Sequence, residues 1–486
     1  MLYAGLTRIA SKALGLISPK RAVEYLRYHK MLRAYDAAAA SGSHNENWLP
    51  LNQTGDQEIG RDWPTVLGRS RDLHRNHPLV TDALRIGLAF TVGTALNPQW
   101  CIKDNQGKRN EKQIDLIEYR HQKWGEDCTI DGKDWQDFKE LCWRHLKMDG
   151  EVFIIFSADK THPFKLQLIE PDQLDSFVDG DLKNGNYGIR GVEFNRAGRP
   201  VAYHFHDCHP GGNLGATESV RVSAERVRHV YAPGRVTETR GICHYVSAIM
   251  SLYDQNELSD QILLLHRIAA AYGIFIQSKH SEDELASLGL TGKAIDGTPE
   301  RIKHLDPASV NYLPENYSAT TVKPEMPSTG FDEFNKSYLR KSGKGFGMSY
   351  ETFTGDLSNA NFSSLRAGQN SERSVFRMDS SLMIRKAIGP VVNAWQDVEV
   401  AAGLLQLPGY WDNKAKYTKK RYTLPALPST NPLQDEKADE QALENRTTTR
   451  RIICERKGLD YDEVEEELML EESRLRPNAI DPEKEE

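Results

Sequence analysis

YETFTGDLSNANFSSLR, residues 350–366, leads directly into a long segment of helical character that ends near Leu405. The stretch contains no group that the sequence marks as catalytic. It is rich in turn and cap formers, namely Thr354, Gly355, Asp356, Ser358, Asn359 and Asn361. Such residues favour an irregular loop, and Ser363 or Ser364 is predicted to N-cap the helix that follows. The sequence therefore predicts a loop carried between two helices.

Length and composition indicate a globular protein of several regions. The chain has 486 residues, of which 39% are hydrophobic and 27% charged, enough for about two to four structural regions. The six cysteines form no CxxC pair, so we expect reduced, buried thiols without disulfides in a protein assembled in the cytoplasm. Arg8, Lys12 and Lys20 interrupt the N-terminal apolar residues, and no run approaches a membrane span. We expect a soluble protein with no membrane partner.

Charge is unevenly distributed along the chain. Residues 460–486 contain twelve acidic and three basic residues, a net charge of −9, so the remainder carries about +2 of the overall −7. A protein that grips DNA statically should present a basic face, because neutralised phosphates supply most non-specific affinity. No such basic face is obvious beyond the N-terminal arm, so the charge distribution does not favour static DNA binding.

The first half of the body predicts an α+β domain. Residues 61–94 predict two helices broken at Asn76–Pro78, and residues 109–147 predict two more. Short β-rich runs then alternate with Gly, Pro, Asn and Asp turns; they are residues 151–157, 164–169, 188–194, 200–206 and 228–231. This pattern is typical of a mostly antiparallel sheet packed with helices.

Long helices dominate the second half. They are predicted at 245–277, 330–345 and 363–405, the last kinked at Gly389–Pro390 because proline lacks an N–H. The first two enclose a polar insertion, residues 278–329, with one strand near Val310–Leu313, which together suggest a stalk with a tip. A Pro-rich linker, 424–432, leads to a helical tail, 433–475, with a predicted break at Gly458.

Two basic segments keep alternative interpretations open. Residues 1–40 form a basic amphipathic arm with seven Lys or Arg, which either packs on the body or contacts DNA or another assembly protein. Four basic residues precede the loop at near-helical spacing; they are Lys336, Arg340, Lys341 and Lys344. They could face a phosphate backbone, or water and a neighbour's acidic groups.

Catalytic templates are largely missing. Neither Gly292–Lys293 nor Gly343–Lys344 completes a phosphate-binding GxxxxGK[ST] loop, and there is no HExxH, GxSxG or EF-hand pattern. The best chemical candidate is HFHDCHPGG, in which His204, His206 and Cys208 share one strand face and His209 follows. Same-face neighbours on a strand lie roughly 6.6–7 Å apart, too far to converge on one ion without a bend. We therefore expect no metal and no cofactor.

The loop also resembles a known family signature. Residues 350–366 are similar, nearly residue for residue, to the Y-E-x-x-T-G-D-(x)-N-(Y/F)-S-S-x-R pattern of portal proteins from lambda-type tailed phages, with Tyr350, Ser363, Ser364 and Arg366 in the matching places. Further matches follow in the family's order; they are RSRDLHRNHP (69–78), VGTALNPQ (92–99), DGEVF (149–153), LIEPDQL (168–174), GVEFNRAGRPVAYHF (191–205), RVRHVYAPGRVTETRGI (226–242) and the tail 434–471. Ala95, Gly212 and Cys243 depart from the family's pattern, and these departures concern local turns.

The resemblance implies a portal fold of the α+β class. The implied regions are a basic arm and linker (1–60), a wing of helices plus mostly antiparallel sheet (61–244), a first stem helix (245–277), a small α/β clip (278–329), a second stem helix (330–347), a tunnel loop (348–362), a long kinked helix with a wing return (363–423), and a linker with a helical crown and acidic tail (424–486). DNA-facing residues of the loop would be Thr354, Gly355, Asp356, Leu357, Ser358, Asn359, Ala360, Asn361 and Phe362. Asp356 would repel phosphates there.

The resemblance further implies partners and a place in the virion. These are a ring of about twelve copies at the capsid's portal vertex, the terminase large subunit, head-completion or adaptor proteins, scaffold and major capsid protein, and double-stranded DNA in transit. The implied mechanism is passive conduction, with ATP hydrolysis supplied by terminase. Two rival hypotheses are an enzyme, such as a nuclease or hydrolase using His204–His209, and a monomeric scaffold or adaptor.

Overall fold

The computed structural model of the chain describes residues 52–104, 106–212, 218–270, 274–277, 310–313, 331–358, 361–426 and 431–475. The chain divides into two compact units, residues 1–58 and residues 59–486. The predicted basic arm, residues 1–40, and most of the predicted clip, residues 278–329, lie outside the described residues. The first turn of helix α1 belongs to the first unit, and all the other helices and strands belong to the second.

Helices form both ends of the described chain and frame its strands. In chain order they are α1 (Gly55–Asn76), α2 (Pro78–Thr91), α3 (Glu111–Gly125), α4 (Trp135–Met148), α5 (Val246–Ala270), α6 (Phe331–Gly345), α7 (Tyr350–Thr354), α8 (Phe362–Met383), α9 (Gly389–Ala401), α10 (Lys414–Tyr417), α11 (Pro432–Glu444), α12 (Arg450–Arg456) and α13 (Tyr461–Leu475). The predicted break between the first two helices is confirmed at His77, which precedes Pro78. Among the described residues, no helix combines the length and apolar character needed to cross a membrane.

The strands are short and mostly antiparallel. They are β1 (Pro98–Trp100), β2 (Glu151–Ser157), β3 (Lys165–Ile169), β4 (Gly180–Asp181), β5 (Tyr187–Ile189), β6 (Val192–Phe194), β7 (Pro200–His206), β8 (Ser219–Ser223), β9 (Val227–Tyr231), β10 (Ile274–Gln277), β11 (Val310–Leu313) and β12 (Lys420–Tyr422). Strands β3-β2-β9 form one antiparallel sheet and β4-β5-β6-β7-β8 another. Strand β1 pairs with β12, so the segment that follows α9 returns to the segment between α2 and α3. The α+β class is confirmed.

Several predicted boundaries differ from the structure. Helix α1 begins at Gly55 rather than at Arg61, within the predicted linker. Helix α5 ends at Ala270 rather than at residue 277, because Ile274–Gln277 pair in parallel with the correctly predicted strand Val310–Leu313. The tail has, besides the break at Gly458, a second one at Arg446, whose φ is +54°.

The predicted kink in the long helix takes the form of a π-helical turn. Residues Ile384–Ile388 separate α8 from α9, and the N–H of Gly389 donates to the carbonyl of Ile384, five residues back. Pro390 follows at the start of α9, where its missing N–H leaves one carbonyl without the usual partner. A π-turn adjusts the helix register at this point, which accounts for the interruption.

The main core is centred on aromatic side chains from distant segments. His121 is buried among four tryptophans, with ring centroids 5.1–5.5 Å away; they are Trp100, Trp124, Trp135 and Trp395. Burial lowers the pKa of His121 to about 3, so it is a neutral core residue. The cysteines were predicted to be buried, and this holds for Cys128, Cys142 and Cys243. The other three are partly exposed; they are Cys101, Cys208 and Cys454.

A buried ion pair joins the sheet to the segment that precedes α5. Arg240 and Glu151 are fully buried, and the Arg240 Nε donates to Glu151 Oε1 at 2.7 Å. The other carboxylate oxygen accepts from the backbone N–H of Gly241 at 2.8 Å and contacts His229 Nε2 at 2.7 Å. Burial alone would raise the pKa of Glu151, but Arg240 and His229 hold it at about 2. Glu151 is therefore ionised throughout the neutral range.

Close backbone contact accompanies this ion pair. Gly150 has a φ of +90°, and a Cβ added to it would lie 2.1 Å from the carbonyl carbon of Ile242. A Cβ on Gly241 would lie 2.2 Å from the carbonyl oxygen of Gly150. Only glycine fits at these two positions, which lets the chain before α5 lie directly against the start of β2.

Substitution of Arg240 tests this junction. Arg240→Met should lower the free energy of unfolding by about 3–5 kcal/mol, because it leaves the Glu151 carboxylate buried without its guanidinium. The double variant Arg240→Met with Glu151→Leu should recover most of that loss, since no buried charge remains. Urea denaturation of the unassembled protein measures both. Arg85→Ala is the control, because the Arg85–Asp82 pair is exposed and should contribute less than about 1 kcal/mol. Equal losses in the single and double variants would contradict the interpretation.

Candidate functional site

The signature segment forms a short helix before it becomes a loop. Residues Tyr350–Thr354 were predicted as irregular, but they form the single turn α7, so the irregular part begins at Gly355. Gly355 has a φ of +70° and its N–H donates to the carbonyl of Glu351 at 2.9 Å, which is a glycine C-cap. The loop therefore leaves a helical turn whose end is fixed by backbone geometry.

The start of α7 is fixed from a distance by Glu372 of α8. The Ser349 hydroxyl caps the helix by accepting from the N–H of Thr352 at 3.3 Å. Glu372 is buried, accepts from the backbone N–H of Ser349, and accepts from the Thr352 hydroxyl at 2.9 Å. In a capping box, a glutamate three residues after the cap makes this return bond. Here a residue 20 positions beyond Thr352 makes it, so α7 is tied to the helix on the far side of the loop.

Asp356 holds the first turn of the loop. One carboxylate oxygen accepts from the Tyr350 hydroxyl at 2.9 Å, and the other accepts from the N–H and hydroxyl of Ser358 at 3.0 and 2.6 Å. The hydrogen bonds from Ser358 and Tyr350 lower the pKa of Asp356 to about 2. Since the pKa lies below the ordinary 3.8, this stabilisation is complete above about pH 4 and is lost as the pH falls through 2.

The end of the loop differs from the sequence prediction. Helix α8 begins at Phe362, and the N–H of Leu365 donates to the carbonyl of Asn361 at 3.0 Å. Ser363 and Ser364 were predicted as N-caps, but they lie within the first helical turn, and Asn361 occupies the position before it. Asn359 and Ala360 lie outside the described residues. Leu357 is 59% exposed, so the loop presents an apolar side chain to its surroundings.

Arg366, the last signature residue, connects the loop's exit to the tail. Its guanidinium donates to Gln434 Oε1 and to Asp435 Oδ1, both at 3.1 Å. Gln434 and Asp435 lie in the first turn of α11, more than 60 residues away along the chain. Sequence spacing alone offers no signal for this contact, and it also offers none for Glu372.

Two of the four basic residues before the loop lie against it. The Arg340 guanidinium lies 5.3 Å from the centroid of the Tyr350 ring, and the charge of Lys336 helps to lower the pKa of Asp356. Lys341 and Lys344 are exposed elsewhere on α6. The structure therefore brings Lys336 and Arg340 to the base of the loop and leaves the other two apart from it.

The histidine cluster near residue 204 does not converge on one point. His204 Nε2 lies 3.0 Å from Glu193, whereas His206 Nε2 lies 3.8 Å from Asp175. His209 belongs to a different group with Glu170 and Asp172, whose candidate ligand atoms lie within 4.8 Å of one another. Both of those carboxylates already contact the Arg71 guanidinium, at 3.1 and 2.7 Å. The Arg71 guanidinium thus already occupies the side of these carboxylates at which a metal cation would bind.

Comparison with known proteins identifies the family. The model of the family described as "Phage portal protein, lambda family" matches residues 41–379, from before α1 to most of α8 and including the whole loop. Because this match spans more than half of the chain, the chain belongs to the lambda family of phage portal proteins. A portal protein connects the phage head to the tail and provides the passage for DNA, and this is the function of the chain.

Individual relatives agree with the family assignment. The probable portal protein of Halomonas phage phiHAP-1 is 26% identical over 434 residues, covering 86% of this chain and 82% of the relative. The portal protein of Escherichia phage N15 is 20% identical and portal protein B of Escherichia phage lambda 19%, each covering 94% of this chain and 92% of the relative. The matches therefore extend into the tail, beyond the range of the family model.

Solved structures give a weaker similarity. A chain in the neck of a native gene transfer agent particle computed with C12 symmetry has 13% identity and a TM-score of 0.41, covering 82% of this chain and 94% of that one. A chain in the virion of the native particle gives 13% identity and a TM-score of 0.39, with the same coverage. Because both TM-scores are below 0.5, the assignment to the family rests on the match to the family model.

As a phage portal protein, the chain is a virion component at a capsid vertex.

The contact between Glu372 and the cap of α7 yields a prediction. Glu372→Ala removes the acceptor of the Ser349 N–H and the Thr352 hydroxyl, which should destabilise this turn locally by about 1–3 kcal/mol. Hydrogen exchange of the amides of residues 349–355 should accelerate, while the amides of β2 remain protected. Glu351→Ala is the matched control, because it removes a carboxylate from α7 itself without touching the cap. If both variants exchange alike, Glu372 does not fix the helix.

Proposed function

We propose that about twelve copies of the chain close into a ring whose central channel conducts double-stranded DNA, with the loop Gly355–Asn361 facing that DNA. Closing a ring requires a heterologous interface, in which two different surfaces of each copy meet. The family assignment supports the proposal, as does the C12 symmetry named for the gene transfer agent neck. In this mechanism the terminase motor supplies the force, and the portal aligns and gates the duplex without catalysing a reaction itself.

The observation that carries the loop assignment is its construction. The loop is held at its entrance by Asp356 and Glu372 and at its exit by Arg366, yet its tip carries short polar residues and the exposed Leu357. Weak contacts repeated around a ring would let DNA slide, because affinity rises steeply with each phosphate that a cation neutralises. The cations Lys336 and Arg340 lie at the base of the loop, beside Asp356 and Tyr350.

We assign the remaining regions by the family's plan. Residues 61–244 would be the wing, with the wing return in residues 363–423, and α5 and α6 would form the stem. The pairing of β10 with β11 favours ending the first stem helix at Ala270 and starting the clip near Ile274. Residues 424–486 would include the crown.

The proposed partners follow from these regions. The clip would dock the terminase large subunit during packaging and head-completion or adaptor proteins afterwards, while scaffold and major capsid protein would surround the ring in the shell. Assembly would take place in the host cytoplasm. The alternative enzyme hypothesis rested on His204, His206 and Cys208, and the separation of their partners into different acidic groups argues against it.

Shortening the loop tests its role. Deletion of Gly355–Asn361 should leave ring assembly intact and reduce the packaging or retention of full-length DNA, because it removes the proposed DNA-facing residues but keeps the contacts of Glu372 with α7 and of Arg366 with α11. Particle DNA content, measured by nuclease protection and gel electrophoresis, provides the readout. A control variant, Ser374→Ala, alters an exposed serine of α8 and should package normally. Loss of rings in the deletion variant would instead make the loop an interface element.

The ring itself is tested by negative-stain electron microscopy with mass from light scattering. Purified protein should form rings with a central hole wide enough for duplex DNA. A chain that stays monomeric even with scaffold protein present would contradict the proposal and favour the adaptor hypothesis.

Metal analysis of the same sample tests the enzyme hypothesis, since stoichiometric zinc or manganese would support that hypothesis.

A further inference from the structure

An apolar cavity of about 460 Å³ opens on the surface beside the loop-bearing helices. It lies between α2, α4, the turn that joins α6 to α7, and α8. Its apolar lining includes Leu84, Trp143, Phe346, Met348 and Phe376. The volume falls within the range of sites that bind a ligand or anchor residue. None of the residues that line it comes from the described part of the tail, 431–475.

The mouth of this cavity is positively charged. Lys344 and Arg385 line it and are exposed, and neither forms an ion pair within the part of the chain that the structure describes. Lys147 also lines it, but Asp379 lies 2.6 Å away and neutralises that charge. Met378, on the same side of α8, is 66% exposed. The mouth thus combines two uncompensated cations with an exposed apolar side chain.

The tail carries a segment with the opposite properties. Residues 465–472 read EEELMLEE and belong to α13. Leu468, Met469 and Leu470 are 51%, 64% and 57% exposed, and glutamates lie on both sides of them. Three consecutive exposed apolar residues in a helix are costly in water, so the segment has the composition of an anchor with an acidic rim.

We propose that the EEELMLEE segment of a neighbouring copy docks in this cavity, with Leu468 entering it, Met469 at its mouth beside Met378, and the flanking glutamates facing Lys344 and Arg385. Apolar anchors in a pocket supply most of an interface's affinity, and complementary charges at its edge select the partner. The proposal rests on the proposed ring, and it names one contact that would hold neighbouring subunits together.

The chain's own tail is held at another place. Asp462, near the start of α13, forms ion pairs with Arg109 and Arg451. Asp460 accepts a hydrogen bond from the side chain of Gln99 in β1. These contacts anchor α13 beside β1 and α3, neither of which lines the cavity. A neighbour is therefore the source of the segment. Cavity and segment are different surfaces of one chain, which is the heterologous arrangement that a closed ring requires.

Cysteine crosslinking tests this contact in the full-length protein. Met378→Cys at the mouth and Met469→Cys in the segment should form disulfides between neighbouring copies when assembled rings are oxidised gently. A non-reducing gel should then show a ladder of dimers, trimers and larger species. Each single variant is a control for the six native cysteines, and Met378→Cys with Leu433→Cys is a matched control, because Leu433 is exposed in α11 outside the segment.

The outcomes separate the contact from the ring. Rings that form without a specific ladder, or that give only a crosslinked monomer, would overturn the docking proposal and leave the ring intact. Absence of rings in the unsubstituted protein would overturn the ring proposal itself. A ladder equally strong with Leu433→Cys would show nonspecific collision and would also overturn the contact.

A charge exchange provides a second test that needs no new cysteine. Lys344→Glu should raise the protein concentration for half-maximal ring assembly by about threefold to fivefold, because it places like charges against the segment. Glu471→Lys should do the same, and the double variant should return towards the original concentration. Glu440→Lys serves as a control, because it reverses an exposed acidic residue of α11 for which the described residues show no ion pair. If the double variant is worse than either single variant, the two residues do not meet.

Discussion

The ion pair between Glu151 and Arg240 fixes the relation between the α+β region and the long helices that follow it. Glu151 begins β2 and Arg240 lies six residues before α5, so their contact sets where the chain leaves the sheets. Removing two charges from water is costly. That cost is offset by the carbonyls that Arg240 also reaches, those of Arg190 and Pro171, and by the Gly241 N–H that Glu151 accepts. The network joins the start of β2 and the segment before α5 to the backbone at Pro171 and Arg190.

The loop follows the same physical rule on a smaller scale. Glu372, like Glu151, is a buried carboxylate that accepts a backbone N–H belonging to a distant segment. At α7 the Glu372 carboxylate fixes where the helix begins, so the position of that helix depends on tertiary contact rather than on its own sequence. At Gly241 the Glu151 carboxylate instead holds the segment that lies five residues before α5. The loop therefore starts from a rigid frame. Its entrance and exit are held by Asp356 and Arg366, and what lies between them can change without moving the helices.

The sequence predicted the features that depend on local periodicity. The α+β class, the break before Pro78 and the interruption at Gly389–Pro390 all follow from spacing and from the geometry of proline. Prediction from the sequence failed where a contact with a residue far away along the chain decides where a helix begins or ends. Helix α5 ends at Ala270 because the next residues pair with β11, and α7 forms because Glu372 completes its cap. Ser363 and Ser364 are good cap formers, yet helix α8 starts one residue before Ser363. The sequence predicted a loop between two helices at the signature, but only the structure revealed which contacts hold it.

Charge and rigidity together explain how such a loop suits a moving duplex. Asp356 is the only ionised side chain in residues 354–362, and its oxygens are occupied by Tyr350 and Ser358 while Lys336 offsets its charge. In the proposed channel, the loop would therefore meet phosphates with little net charge of either sign. Strong binding would require cations that release counterions from the DNA, and those cations lie at the base of the loop instead. A loop that is held at its base and carries little net charge would reduce both the repulsion and the adhesion of a passing duplex, and sliding requires both.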